Sequence, residues 1–174
     1  MKKVFFITLS ILFLYSCDRN QDTDVLPEAT QSGKNTGGAL FDGKVWVAKV
    51  ESSSAIQGGN NTYLQSDPIT GREIMTITLR NYQNPSSHAI EMDINSMQAI
   101  TTGTYPLNGI YENHAVIKNG GNGYYTDGSN NTGSITLTKF DRSKKIISGT
   151  FQFKAKNSAG NIITVTEGRF DRRF

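Results

Sequence analysis

The feature of this sequence that most constrains its fold is a regular alternation of apolar and polar side chains. Met75, Ile77 and Leu79 are separated by polar residues, and the same period of two recurs further along the chain. The further stretches are 90–94, 135–138, 151–156 and 163–165. Because successive side chains of a strand point to opposite faces, each stretch predicts a strand with one buried face. Such strands bury their apolar faces by packing one sheet layer against another.

Short clusters of Asn, Asp and Gly separate these stretches. Asp42-Gly43, Asn108-Gly109, Asn119-Gly120-Gly121 and Asp127-Gly128 are examples. Asn and Gly tolerate the positive φ angles of tight hairpins, and no longer stretch after the N-terminal apolar segment has a convincing helical period. The sequence therefore predicts an all-β fold, a single antiparallel β-sandwich of about eight to ten strands, with a calycin-like β-barrel as the alternative.

The N-terminus has the layout of an export signal followed by a lipid anchor. Lys2 and Lys3 precede an apolar run at 4–15, which is too short to cross a hydrocarbon core of roughly 30 Å as a helix. Leu14-Tyr15-Ser16-Cys17 resembles a lipobox, in which the cysteine is lipidated before cleavage. A secretory peptide with an unrelated cysteine is the alternative, but this sole cysteine has no intramolecular disulfide partner.

The chain after the predicted cleavage site divides into a polar segment and a domain. Residues 18–38 are rich in Asp, Asn, Gln, Thr, Ser and Gly, a composition that buries too little apolar surface to offset the entropy of ordering. The expected organisation is a signal peptide at 1–16, the lipidated Cys17 and a flexible tether at 17–38, and one all-β domain at 39–174.

The charge of the chain argues against a nucleic-acid partner. Without the two lysines of the signal peptide, 16 Lys and Arg residues face 15 Asp and Glu residues, a formal charge of +1. The basic cluster at the end of the sequence, Arg169 with Arg172 and Arg173, is interrupted by Asp171. The expected partner is instead a membrane, held through the lipid anchor. We place the anchor in the outer membrane and leave open whether the domain faces the periplasm or the cell surface.

Residue types that carry catalysis are sparse. His88 and His114 are the only histidines, and neither lies in a cluster with metal-ligand spacing. No G-x-S-x-G motif is present. We therefore expect a domain that is not an enzyme, with no catalytic residues, no metal and no cofactor. A hydrolase whose site is assembled only in space stays a third alternative, because the members of such a site converge from distant positions.

The most suggestive segment for binding is 119–133, where tyrosines lie among Gly, Asn, Asp and Ser. Aromatic rings stack on the C–H faces of sugars, and amide and carboxylate groups pair with their hydroxyls. The candidate ligand-binding residues are Tyr105, Tyr111, Tyr124, Tyr125 and Asp127. The alternative interpretation is that tyrosine is simply a favourable strand residue.

Trp46 is the residue on which an alternative function, that of a small-ligand carrier, depends. A tryptophan near the first strand also occurs in lipocalin-like barrels, where it closes one end. The protein would then carry a small apolar ligand in a hollow interior, whereas a packed core would favour the sandwich.

Two motifs near the ends of the chain frame the predicted domain. The first is Thr30-Gln31-Ser32-Gly33-Lys34-Asn35-Thr36 with Gly38 and Gly43-Lys44-Val45-Trp46; the second combines Ser148-Gly149-Thr150-Phe151-Gln152-Phe153 with Thr166-Glu167-Gly168-Arg169-Phe170-Asp171. Together they resemble a family of small Bacteroidota lipoproteins that carry a domain of unknown function. The resemblance implies a lipoprotein and an all-β fold, and it implies no activity or catalytic residue. The sequence thus predicts a membrane-tethered binding or accessory domain with a glycan or protein ligand.

Overall fold

The computed structural model describes residues 25–49, 62–83, 88–109, 112–119, 121–129 and 132–174, and these contain eleven strands and no helix. The strands are β1 (Thr36–Phe41), β2 (Lys44–Val47), β3 (Thr62–Ser66), β4 (Glu73–Arg80), β5 (Ala89–Ser96), β6 (Gly103–Leu107), β7 (His114–Asn119), β8 (Asn122–Tyr125), β9 (Gly133–Asp141), β10 (Ile146–Lys156) and β11 (Ile162–Arg173). The predicted all-β fold is confirmed. The strands outnumber the eight to ten expected because strands as short as β8, with four residues, are too brief to show a period of two.

The sheet branches at β10, because one edge of this strand pairs with two other strands. The main path runs in the order β2-β1-β11-β10-β8-β7-β5-β4-β3, and β9 and β6 branch from it. Along one edge, β10 pairs first with β9, over residues 146–153, and then with β8 at Lys156. All pairings between the named strands are antiparallel, and the sheet is open, as in a β-sandwich rather than in the alternative closed barrel.

Alternate residues of the strands fill the interior. Met75, Ile77 and Leu79 of β4 are completely buried, and burying each such side chain stabilises the fold by about 1.5–3 kcal/mol. They share one cluster with residues of other strands, including Ala39, Ile94, Ile117, Leu137, Phe151 and Val165. Gly37 of β1 packs so closely on Leu79 that an added Cβ would lie 2.7 Å from Leu79 Cδ2. Among the described residues, this packed cluster gives no support to a hollow carrier.

The first strand lies close to residue 39, the start of the domain predicted from the sequence. β1 begins at Thr36, Gly37 and Gly38 are buried, and residues 30–34 are held by hydrogen bonds. Polar hydrogen bonds fix residues 30–34, and the composition of this segment does not indicate them. The predicted signal peptide, Cys17 and the first part of the predicted tether lie outside the described residues. None of the described residues belongs to a helix long and apolar enough to cross a membrane.

Candidate functional site

Asp171 of β11 is a buried carboxylate that holds the N-terminal segment of the domain. Its Oδ2 accepts hydrogen bonds from Thr30 Oγ1 (2.6 Å) and from the backbone N–H groups of Ser32 (3.0 Å) and Lys34 (3.1 Å), and its Oδ1 accepts from Gly33 N–H (2.7 Å) and Ser148 Oγ (2.8 Å). Gly33 has a φ of 72°, which favours glycine at this turn. We call these contacts between residues 30–34 and Asp171 the Asp171 clamp.

The clamp keeps Asp171 ionised. Burial favours the neutral acid, but hydrogen bonds from Thr30, Lys34 and Gly33 outweigh it and lower the pKa from 3.8 to about 2. At the adjacent position, burial lowers the pKa of Arg172 to about 10, and the negative charge of Asp171 opposes that change. A general acid or base needs a pKa near the working pH, so Asp171 is a structural group.

Glu73 of β4 is a second buried carboxylate with a structural role. Arg142 donates Nη1 to Oε1 (3.0 Å) and Nη2 to Oε2 (2.7 Å), and the N–H of Ile100 donates to Oε2 (2.7 Å). The hydrogen bonds from Arg142 are the largest cause of the lowered pKa of Glu73, and burial opposes them. The contact joins β4 to the end of β9 and to the segment before β6.

Tyr125 lies on the outer face of β8, away from the core. It has 46% of its surface exposed. Its ring leans back along the strand over Gly123, where an added Cβ would lie 2.5 Å from Tyr125 Oη and 2.7 Å from Cζ. The absence of a side chain at Gly123 is therefore what allows the ring to lie along the sheet. The result is an aromatic surface on a regular strand, which we call the Tyr125 platform.

Two ion pairs flank the Tyr125 platform. Lys156 of β10 is the cross-strand neighbour of Tyr125 and lies 3.2 Å, Nζ to Oδ2, from Asp127. On the other side, Lys118 of β7 donates to Glu91 of β5 at 2.8 Å, Nζ to Oε2. The four charged side chains are partly exposed. They supply hydrogen-bond donors and acceptors around a flat ring, while each charge has an opposite partner.

The structure divides the five predicted ligand-binding residues. Tyr125 and Asp127 both lie next to Lys156, at the platform. Tyr124 points to the other face of β8 and packs against the core cluster. Tyr105 also packs against that cluster, and its hydroxyl donates to the carbonyl of Thr101 (2.9 Å). Tyr111 lies outside the described residues.

A cleft opens on the outer face of β9, β10 and β11. It has a volume of about 380 Å³. Its lining includes Ala29, Thr136, Thr150, Gln152, Glu167 and Arg169. The threonines are cross-strand partners, so their side chains stand next to each other on the floor of the cleft. Glu167, which has a positive φ of 51°, and Arg169 form an ion pair of 3.6 Å at one side. None of the predicted ligand-binding residues that the structure describes is among the residues that line this cleft.

The described residues offer little for metal or acid–base chemistry. No three of their His, Cys, Asp and Glu side chains lie together in a way that could hold a metal ion. His114 Nε2 lies 3.5 Å from Asp93 Oδ2, and its Nδ1 lies 3.1 Å from the carbonyl oxygen of Glu112. Asp93 and His114 are cross-strand partners, and both side chains are largely buried.

Comparison with known proteins links the chain to a family. The family model described as Domain of unknown function (DUF6252) matches residues 37–172. No curated protein and no solved structure matches the chain.

Proposed function

We propose that this chain, which belongs to the family described as Domain of unknown function (DUF6252), is a non-enzymatic lipoprotein domain that binds carbohydrate at the Tyr125 platform. The observation that carries the proposal is the position of the Tyr125 ring, which lies along β8 over Gly123 and has 46% of the residue's surface exposed. The neighbouring Tyr124 turns its ring the other way and packs against the core cluster.

The chemistry around the ring suits a sugar. A pyranose has a C–H face that stacks on an aromatic ring, and its rim of hydroxyls donates and accepts hydrogen bonds. Asp127 and Glu91 offer acceptors beside the ring, and Lys156 and Lys118 offer donors. The platform lies on paired strands, so little side-chain and backbone freedom is lost when a ligand binds.

The membrane attachment is supported by the sequence alone. Cys17 follows an apolar signal-like run, and it is the only cysteine. Lipidated at Cys17, the domain would be held at the outer membrane, because two or more acyl chains give firm attachment where one gives only marginal binding. Palmitate labelling of wild type and Cys17→Ser tests this part. Label in wild type only supports the anchor, and equal label in both proteins refutes it.

Affinity electrophoresis tests the binding. The mature domain is run through native gels that contain neutral polysaccharides (mixed-linkage glucan, mannan, xylan and dextran) or acidic ones (polygalacturonate and chondroitin sulfate). We expect at least one polysaccharide to retard the wild-type protein. Tyr125→Ala should weaken that binding at least tenfold, a change of about 1.4 kcal/mol, because an anchoring aromatic side chain contributes a large share of the binding energy.

Tyr63→Ala is the matched control, because Tyr63 of β3 is also a strand tyrosine and is 42% exposed. It should bind as wild type does. Tyr125→Phe separates the ring from its hydroxyl and should keep most of the affinity. The proposal fails if no polysaccharide retards the wild type, or if Tyr63→Ala and Tyr125→Ala behave alike.

A further inference from the structure

The outer face of β10 connects the cleft to the Tyr125 platform. Thr150, Gln152, Lys154 and Lys156 occupy alternate positions of this strand, so their side chains share one face. The first three are exposed and Lys156 is half-buried, whereas Phe151, Phe153 and Ala155 between them are buried. The bulge in this region adds its extra residue to β11, so the alternation of β10 is not interrupted.

The two sites are close enough for one extended ligand. Gln152 lines the cleft, and Lys156 is the cross-strand neighbour of Tyr125. Four residues of a strand span at most about 13 Å, and directly opposite residues have Cβ atoms about 5 Å apart. A short oligosaccharide therefore has the length to cover the distance from the cleft to the platform.

The chemistry of the cleft indicates the type of chain. Its floor presents hydroxyls from Thr136 and Thr150 and the amide of Gln152, which both donate and accept hydrogen bonds without carrying charge. The charges at its side, Glu167 and Arg169, are paired with each other. The charges beside the platform are paired as well. An acidic sugar would have to compete with the carboxylates of these ion pairs, whereas a neutral sugar can bond to both members of a pair. The exposed Lys154 between the two parts can also donate to a sugar hydroxyl.

We infer that the cleft and the Tyr125 platform are two parts of one site, which binds a single neutral oligosaccharide along the outer face of β10. This inference rests on the proposed carbohydrate binding and adds the ligand's charge and its extended length. The platform stacks one sugar ring, and the cleft holds a sugar further along the same chain.

A chain-length series tests the inference. The probes are the disaccharide, tetrasaccharide and octasaccharide of the neutral polysaccharide that retards the protein, with dissociation constants measured by calorimetry. Wild type should bind the octasaccharide at least tenfold more tightly than the disaccharide. Gln152→Ala should lower the affinity for the octasaccharide at least fivefold more than that for the disaccharide, while Tyr125→Ala should weaken binding at every length.

Gln65→Ala provides the control, since Gln65 is an exposed strand glutamine of β3 that lines neither part of the site. It should bind all three probes as wild type does. Affinity that does not depend on chain length, or equal loss of both affinities in Gln152→Ala, overturns the extended site and leaves the platform intact. Retardation by acidic polysaccharides alone overturns the neutral ligand, and retardation by none overturns the proposed function itself.

Discussion

Replacing Asp171 with asparagine is the most direct test of how this domain holds its N-terminal segment. The substitution keeps the shape of the side chain and removes its charge. In the wild type, one carboxylate oxygen accepts three hydrogen bonds and the other accepts two. An asparagine has one oxygen only, so its amide NH₂ must face donors in place of the other. The hydroxyl of Ser148 can reverse its role, but the backbone N–H of Gly33 cannot.

The size of the effect follows from the pKa. Asp171 is 1% exposed, and its pKa falls from 3.8 in an unfolded chain to about 2 in the folded protein. One pKa unit corresponds to about 1.4 kcal/mol, so the ionised carboxylate stabilises the fold by about 2–3 kcal/mol. The cost of leaving one buried donor without an acceptor, about 1–3 kcal/mol, is of the same size. We expect Asp171→Asn to lower the free energy of unfolding by this amount.

Urea denaturation between pH 7 and pH 2 measures the loss. For an m value of about 1–3 kcal/mol/M, a loss of about 2–3 kcal/mol should lower the midpoint at pH 7 by roughly 0.7–3 M. A lowered pKa gives a stabilisation that is complete above pH 3.8 and is lost as the pH falls through about 2. The difference between wild type and Asp171→Asn should therefore shrink over this range and be small at pH 2.

The control for this experiment is Asp67→Asn, which alters a carboxylate in the exposed turn between β3 and β4. It should change the midpoint far less, because water can replace its hydrogen bonds. The reasoning is refuted if Asp171→Asn leaves the midpoint at pH 7 unchanged, or if its deficit stays constant down to pH 2.

Two further predictions concern the core and the second buried carboxylate. Glu73→Gln should destabilise the fold by about 1–3 kcal/mol, because Arg142 and the N–H of Ile100 lose a charged acceptor. Since the pKa of Glu73 is lowered, the difference from wild type in urea denaturation should diminish as the pH falls below 4.5. Gly37→Ala should cost about 1–3 kcal/mol by overpacking against Leu79. Gly37→Ala should lower the free energy of unfolding less when Leu79 is also replaced by alanine. Additive effects of the two substitutions in a double-mutant cycle would contradict this packing.

The alternation of side chains is enough to predict strands and their buried faces. The stretch at 75–80 lies in β4 and that at 90–94 lies in β5, with the apolar residues inside. The same alternation requires Tyr124 and Tyr125 to face opposite ways, but it cannot tell which of them is outside. That depends on which strands flank β8, and strand pairing is set by contacts between distant parts of the chain. Gly123 gives a further local signal, because a missing side chain leaves room for a neighbouring ring.

The Asp171 clamp could not be predicted from the sequence. Asp171 and residues 30–34 are separated by 137 to 141 positions. In the sequence, Asp171 is only an acidic residue within a basic cluster, and residues 30–34 have the composition of a tether. Both motifs that carry the resemblance to the family are present, yet nothing in their spacing shows that they are in contact. A polar segment with few apolar residues can be fixed by hydrogen bonds to a buried carboxylate and to neighbouring arginines, which composition cannot reveal.

The clamp also bears on the proposed binding site, because Ala29 lines the cleft and Thr30 is bonded to Asp171. If the clamp positions the side of the cleft that Ala29 lines, Asp171→Asn should weaken binding of the octasaccharide more than binding of the disaccharide at pH 7. Glu73→Gln is the appropriate comparison. It should lower the free energy of unfolding by a similar amount, and neither Glu73 nor its partner Arg142 lines the cleft. Equal affinities in the two variants would mean that the clamp stabilises the fold without shaping the cleft. A selective loss in Asp171→Asn would show that the segment leading towards the predicted membrane anchor forms part of the binding surface.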